Sequence, residues 1–123
     1  MRHRRRGFDR AQRVGDMLQQ TLAQLLLKNM DDERFRLVTL SSVVVSRDLS
    51  YAKVYVTIYS DDQEQIKSIT FALNRAAKTL RYQLAQQVEL RIIPELKFVY
   101  DETSAHGFHI SSLISDAMKK TDE

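Results

Sequence analysis

The chain has 123 residues, 43% hydrophobic and 28% charged, a balance that predicts one globular domain around one core. No apolar run approaches the ~20 residues of a membrane span, and an arginine-rich start with no apolar stretch behind it predicts no secretory signal. Cysteine is absent, which excludes disulfides, thiolate metal sites and cysteine nucleophiles and fits a reducing cytoplasm.

The net charge is +3, but it is unevenly placed. Arg2, Arg4, Arg5, Arg6, Arg10 and Arg13 stand against Asp9 alone in the first thirteen residues, a local charge of +5. The remaining residues are slightly acidic. Clustered guanidinium groups suit phosphate, because each keeps its charge and donates hydrogen bonds in a planar fork. A solubilising tail or an address signal would show the same charge. Residues 1–7, low in hydrophobicity and ending at Gly7, read as a flexible basic arm. Residues 8–118 read as the domain and 119–123 as a short tail.

A helix is expected from Asp9, an N-cap candidate with Gln12 three residues on. Val14, Leu18, Leu22, Leu25 and Leu26 form its apolar stripe, and it should fade near Asn29. Gly15 inside it costs about 1 kcal/mol relative to alanine. Residues 37–46 read as a first strand. Its register stays open, because Val43, Val44 and Val45 are consecutive. A polar turn, Ser46 to Ser50, leads into strict alternation from Tyr51 to Tyr59. Ala52, Val54, Val56 and Ile58 share one face; Tyr51, Lys53, Tyr55, Thr57 and Tyr59 share the other. Period 2 marks a half-buried strand, so the two segments make a hairpin.

Ser60 and Gln63 resemble a capping box. From there Ile66, Ile69, Leu73, Ala76, Leu80, Leu84 and Val88 step by three or four without Gly or Pro, which fits one long helix or two with an unmarked bend. Leu90 to Tyr100 reads as the last strand, with Pro94 at an edge or bulge because it cannot donate to a ladder. Gly107 breaks the chain and a short helix is expected over Ser111–Lys119. Three strands cannot close a barrel, so helices must cover one face of an open sheet, a two-layer α+β domain.

Three sites compete. Arg75, Lys78 and Arg81 recur along the long helix, with Arg91 just past its end; they form a basic stripe or an ordinary solvated face. Tyr51, Tyr55 and Tyr59 form a stacking platform, a protein-binding face, or a surface packed against itself; the recognition-motif consensus sequences are missing, which favours packing over stacking. Asp101, Glu102, His106 and His109 could ligate a metal or move protons, although two histidines around Gly107 read equally as a solvated turn. No G-x-x-G occurs, so a strand clamp of the KH type is excluded.

Three blocks resemble a known family. They are Arg10-Ala11-Gln12-Arg13-Val14; the run Ser46-Arg47-Asp48-Leu49-Ser50-Tyr51-Ala52-Lys53-Val54-Tyr55-Val56; and Leu90 to Asp101, followed by Ser104, Gly107, Ile110 and Leu113. In this order they are similar to bacterial ribosome-binding factor A, over residues 8–118. The resemblance implies a type II KH-like domain, α-β-β-α-α-β, with a three-stranded sheet, helices on one face and no clamping loop. It implies a factor, not an enzyme, that binds free small (30S) ribosomal subunits in the cytoplasm and assists late maturation and 5′-end processing of 16S rRNA. It also implies links to growth in the cold and to a ribosome-assembly GTPase.

The family often carries Ala-x-Gly at a kink between its second and third helices; this chain has Ala76-Ala77-Lys78 there. The expectation is a monomer, without metal, cofactor or membrane, that grips rRNA through Arg2, Arg4, Arg5, Arg6, Arg10 and Arg13. Arg75, Lys78, Arg81 and Arg91 extend that surface, with Arg47 and Lys53 added from the hairpin. Arg47 could instead pair with Asp48.

Overall fold

Ala52, Val54, Val56 and Ile58 are all buried, while the residues between them are exposed or half-buried. That alternation sets the architecture, because the dry face of the central strand must be covered by helices. The computed structural model describes the backbone of residues 2–28 and 32–102, with side chains from Asp9 onward. Its elements are α1 (Arg2–Lys28), a short 3-10 helix (Glu33–Leu37), β1 (Val38–Val45), β2 (Tyr51–Ile58), α2 (Gln63–Arg75), α3 (Ala77–Gln87) and β3 (Glu95–Tyr100). The strands lie in the order β1-β2-β3, with β1 antiparallel and β3 parallel to β2. The α-β-β-α-α-β order and the two-layer α+β class agree with the sequence reading.

Helix α1 starts at Arg2, not at Asp9. Arginine is a good helix former, and a helix already under way needs no cap at Asp9. The buried stripe is Ala11, Val14, Leu18, Leu22, Leu25 and Leu26. Gly15 lies on the same side, against β1. A Cβ built there would stand 2.6 Å from the Val43 carbonyl oxygen. The helix therefore approaches the strand more closely than any other residue allows, which explains the glycine.

A bulge at Ser41 resolves the register of β1. Val38 and Leu40 pair with Ile58 and Val56, whereas Val43 and Val45 pair with Val54 and Ala52. The extra residue shifts the phase between the two pairs, so all four inward positions meet the dry face of β2.

The long helical pattern breaks at Ala76, so the bend exists without the family glycine. Ala76 has φ −84 and ψ −4, and its N–H is shared between the carbonyls of Ala72 and Leu73 at 3.0 and 3.1 Å. Neither Gly nor Pro causes the break. The anchor beside it is Asn74, whose Nδ2 donates to the Phe98 carbonyl at 3.0 Å and whose Oδ1 accepts from the Phe98 N–H at 2.8 Å. One amide thus satisfies both backbone groups of a β3 residue and holds the end of α2 on the sheet.

Two further expectations need correction. The cap of α2 is Asp62, which accepts from the Glu64 N–H at 3.0 Å, while Ser60 bonds the Asp62 N–H and the Gln65 side chain. The last strand begins at Glu95, because buried Pro94 supplies no donor and residues 90–93 stay outside the ladder. The helix expected over Ser111–Lys119 lies outside the described residues. Phe98, Leu73, Ile69, Leu80 and Leu84 from the second half of the chain close the core against Leu18 and Leu22.

Candidate nucleic-acid interface

The hairpin turn is held by one carboxylate. Asp48 Oδ1 accepts from the hydroxyls of Ser46 and Ser50, both at 2.7 Å, and from the Ser50 N–H at 3.1 Å. The Ser46 and Ser50 hydroxyls are the main cause that lowers the Asp48 pKa to about 2. Asp48 therefore does not pair with Arg47, whose side chain is exposed at the tip. Leu49 is buried with φ at 61°, the left-handed region that costs a branched side chain about 1–2 kcal/mol. Burial of the leucine and the Asp48 bonds hold that strained residue in place.

The sheet face away from the helices carries the tyrosines and a feature absent from the sequence reading. Lys53 sits beside Lys97 in the β2–β3 register, both exposed. Glu95 shares this face next to Tyr51, and Asp101 Oδ2 accepts from the Ser41 hydroxyl at 2.9 Å. The two lysines are therefore balanced by two carboxylates. Tyr59 is 80% exposed, while Tyr51 and Tyr55 are half-buried.

The helical layer presents the other basic residues. Arg10 and Arg13 are exposed on α1; Arg75 and Lys78 flank the bend, both exposed; Arg91 is exposed in the loop before β3. Arg81 is different. Its Nε and one Nη donate to the Ile93 carbonyl at 3.2 and 2.8 Å, which ties α3 to that loop. Arg75 lies over the Phe71 ring, 5.9 Å from its centroid, a cation–π distance. The predicted cations thus divide between two sides of the molecule: Lys53 faces away from the helices, and Arg75 and Lys78 face outward from them.

Phe71 and Tyr82 were missed. They are 65% and 67% exposed on the outer sides of α2 and α3. The signal was present: both fall off the Ile66, Ile69, Leu73, Leu80 and Leu84 stripe. The acidic–histidine cluster gains no geometry, because His106 and His109 lie outside the described residues. No group of three His, Cys, Asp or Glu that could hold a metal occurs among the described residues. An open groove of about 610 Å³ between α1 and β1 is lined by Gln19, Leu26, Phe35 and Val38, with Asp16 and Arg36 as its charged members. No described helix is long and apolar enough to cross a membrane.

Topology and surface together define a type II KH-like domain without the glycine clamp, carrying exposed cations on its helical layer. The profile of ribosome-binding factor A matches residues 10–114. Ribosome-binding factor A of Shewanella sediminis is 44% identical over 110 residues, covering 89% of this chain and 77% of that one. The crystal structure of ribosome-binding factor A from Thermus thermophilus superimposes with a TM-score of 0.63 at 30% identity, over 73% of this chain and 94% of that one. A homology model of the Thermus thermophilus protein, fitted into a cryo-EM map of a 30S complex, matches with a TM-score of 0.60 at 30% identity, over 72% of this chain and 92% of that one. The chain belongs to the ribosome-binding factor A family.

Proposed function

We propose that this protein binds the small ribosomal subunit through its 16S rRNA and assists late maturation of that RNA, including processing of its 5′ end. It acts as a monomeric cytoplasmic binding factor on free subunits, without catalysis, and in functional connection with a ribosome-assembly GTPase. The observation that carries this reading is membership of a family whose Thermus member has been fitted into a map of a 30S complex.

The chemistry supports it. Exposed guanidinium and ammonium groups at Arg10, Arg13, Arg75, Lys78 and Arg91 suit a polyanion. Arg2, Arg4, Arg5 and Arg6 add charge in the first turns of α1. With no G-x-x-G, the KH-type clamp on a strand's backbone is missing, and these cations meet RNA phosphates by charge and shape. Tighter binding to an immature arrangement of the subunit would favour it, and maturation would then weaken the contacts.

Sedimentation of a cell extract through a gradient tests the proposal. The protein should travel with free small subunits. Finding it only at the top of the gradient, or only on full ribosomes, would overturn the reading.

A further inference from the structure

Lys67, Phe71, Arg75, Lys78 and Tyr82 recur at steps of four, four, three and four, and all five are exposed. Within each helix these steps keep side chains on one side. In both helices that side lies opposite the buried positions: Ile66, Ile69 and Leu73 in α2, Leu80 and Leu84 in α3. The result is a run of basic, aromatic, basic, basic, aromatic that crosses the bend on the outside of the molecule.

Its composition is not what stability alone would select. Two large aromatics stand about two-thirds exposed, at 65% and 67%, where polar residues would solvate a helix face better. No acidic residue occurs between Glu64 and Glu89, so no carboxylate of either helix's own interior offsets the cations. Lys78 falls in the first turn of α3, which has no acidic residue and no side-chain cap. A positive charge there opposes the helix dipole. Arg75 is already laid over the Phe71 ring, which orders a cation beside an open aromatic face.

Cations alone would fit duplex RNA, but exposed rings would then be idle, because paired bases are stacked inside a helix. Aromatic side chains interleaved with cations fit an unpaired strand, whose bases can splay out and stack while its phosphates meet the cations. We propose that the outer face of α2 and α3 binds an unpaired RNA segment, with Phe71 and Tyr82 each stacking on a base and Lys67, Arg75 and Lys78 holding the backbone. Eleven residues separate the two rings, which is about 16 Å along a straight helix axis. The segment is therefore a few nucleotides long. This inference rests on the proposed rRNA binding and deepens it, by stating which form of RNA meets this face.

The test uses the full chain and two probes: a fluorescein-labelled 12-nucleotide single-stranded RNA, and the same RNA annealed to its complement. Phe71→Ala and Tyr82→Ala should each weaken single-strand binding by about 5- to 150-fold, the range for loss of one stacked base. Duplex binding should change less than about twofold, and the salt dependence of the residual single-strand binding should stay the same, because no phosphate contact is removed. The variant carrying Phe71→Tyr with Tyr82→Phe keeps both rings and should bind like the natural protein. Circular dichroism of each variant confirms the fold.

Single-strand binding that survives removal of both rings overturns the inference, as does equal weakening on single strand and duplex. A ring requirement seen only in capture of a protein partner from nuclease-treated extract overturns it in favour of a protein interface. Binding of the natural protein to isolated small subunits is measured in parallel. If that binding persists while the rings prove dispensable, the inference fails and the rRNA reading stands. If the protein ignores small subunits, the rRNA reading itself fails, whatever the short probes show.

Discussion

Replacing Gly15 with alanine sets two effects against each other. Alanine in a helix interior is worth about 1 kcal/mol over glycine, so a solvent-facing glycine would gain stability. At Gly15 the added methyl would lie 2.6 Å from the Val43 carbonyl oxygen and 3.6 Å from Val45 Cγ2. The oxygen belongs to the backbone of β1, in a strand paired along its length with β2, and cannot rotate aside as a side chain would. Relief requires α1 to move off the sheet, loosening the packing of Val14 and Leu18. Such overpacking costs about 1–3 kcal/mol, and a backbone neighbour places this case in the upper half of that range. The net expectation is a loss of about 1–2 kcal/mol. With an m-value near 2 kcal/mol/M, the urea midpoint falls by roughly 0.5–1 M. Gln24→Gly, on the exposed side of α1, calibrates the helix term and should cost about 0.5–1 kcal/mol. An unchanged slope with a lowered midpoint for Gly15→Ala fits the close approach. A raised midpoint would refute it, because it would leave helix propensity as the only term acting.

Asn74→Ala removes both amide bonds to Phe98 and leaves a half-buried strand N–H without its partner, at a cost of about 1–3 kcal/mol; hydrogen exchange at the Phe98 amide should accelerate, and unchanged protection there would show that the amide is not the anchor. Leu49→Gly should be at least as stable as Leu49→Ala in thermal melts, reversing their usual order, since glycine accepts φ 61° without the left-handed penalty that alanine retains. The Asp48 carboxyl titrates at about 2, below its ordinary 3.8. A pKa lowered by folding means that the stabilisation is fully present above about 4 and is lost as pH falls through about 2. NMR titration of Asp48 checks this, and Ser50→Ala should move the value up toward 3.8. Replacing Arg2, Arg4, Arg5 and Arg6 with alanine should reduce the log–log salt slope of small-subunit binding by about three if all four meet phosphate, whereas an unchanged slope would remove them from the interface.

What the sequence disclosed, and what it withheld, follow from the range of the forces involved. The β2 face was legible because alternation is a local property of nine consecutive residues. The register of β1 was not, because three adjacent valines fit either phase and the bulge at Ser41 admits both. The bend at Ala76 carries no local mark, since its anchor is an amide bonded to a strand 24 residues away. The same limit governs the surface. Charge can be counted along a chain, but its direction is a tertiary property, so Lys53 and Arg75 were grouped although the sheet separates the faces they occupy. The spacing places Arg81 in a basic stripe or a solvated face, yet its guanidinium braces the Ile93 carbonyl, so Arg81→Ala would weaken the loop before β3 as well as any RNA contact. Phe71 and Tyr82 were overlooked although their signal is local. Both fall off the apolar stripe of their helices, so the periodicity already places them outside, and their exposure of 65% and 67% agrees with it. The surface residues that best separate shape-reading from strand-reading are therefore two neutral rings. Cations attract any phosphate backbone, but a ring contributes only where a base has left its stack.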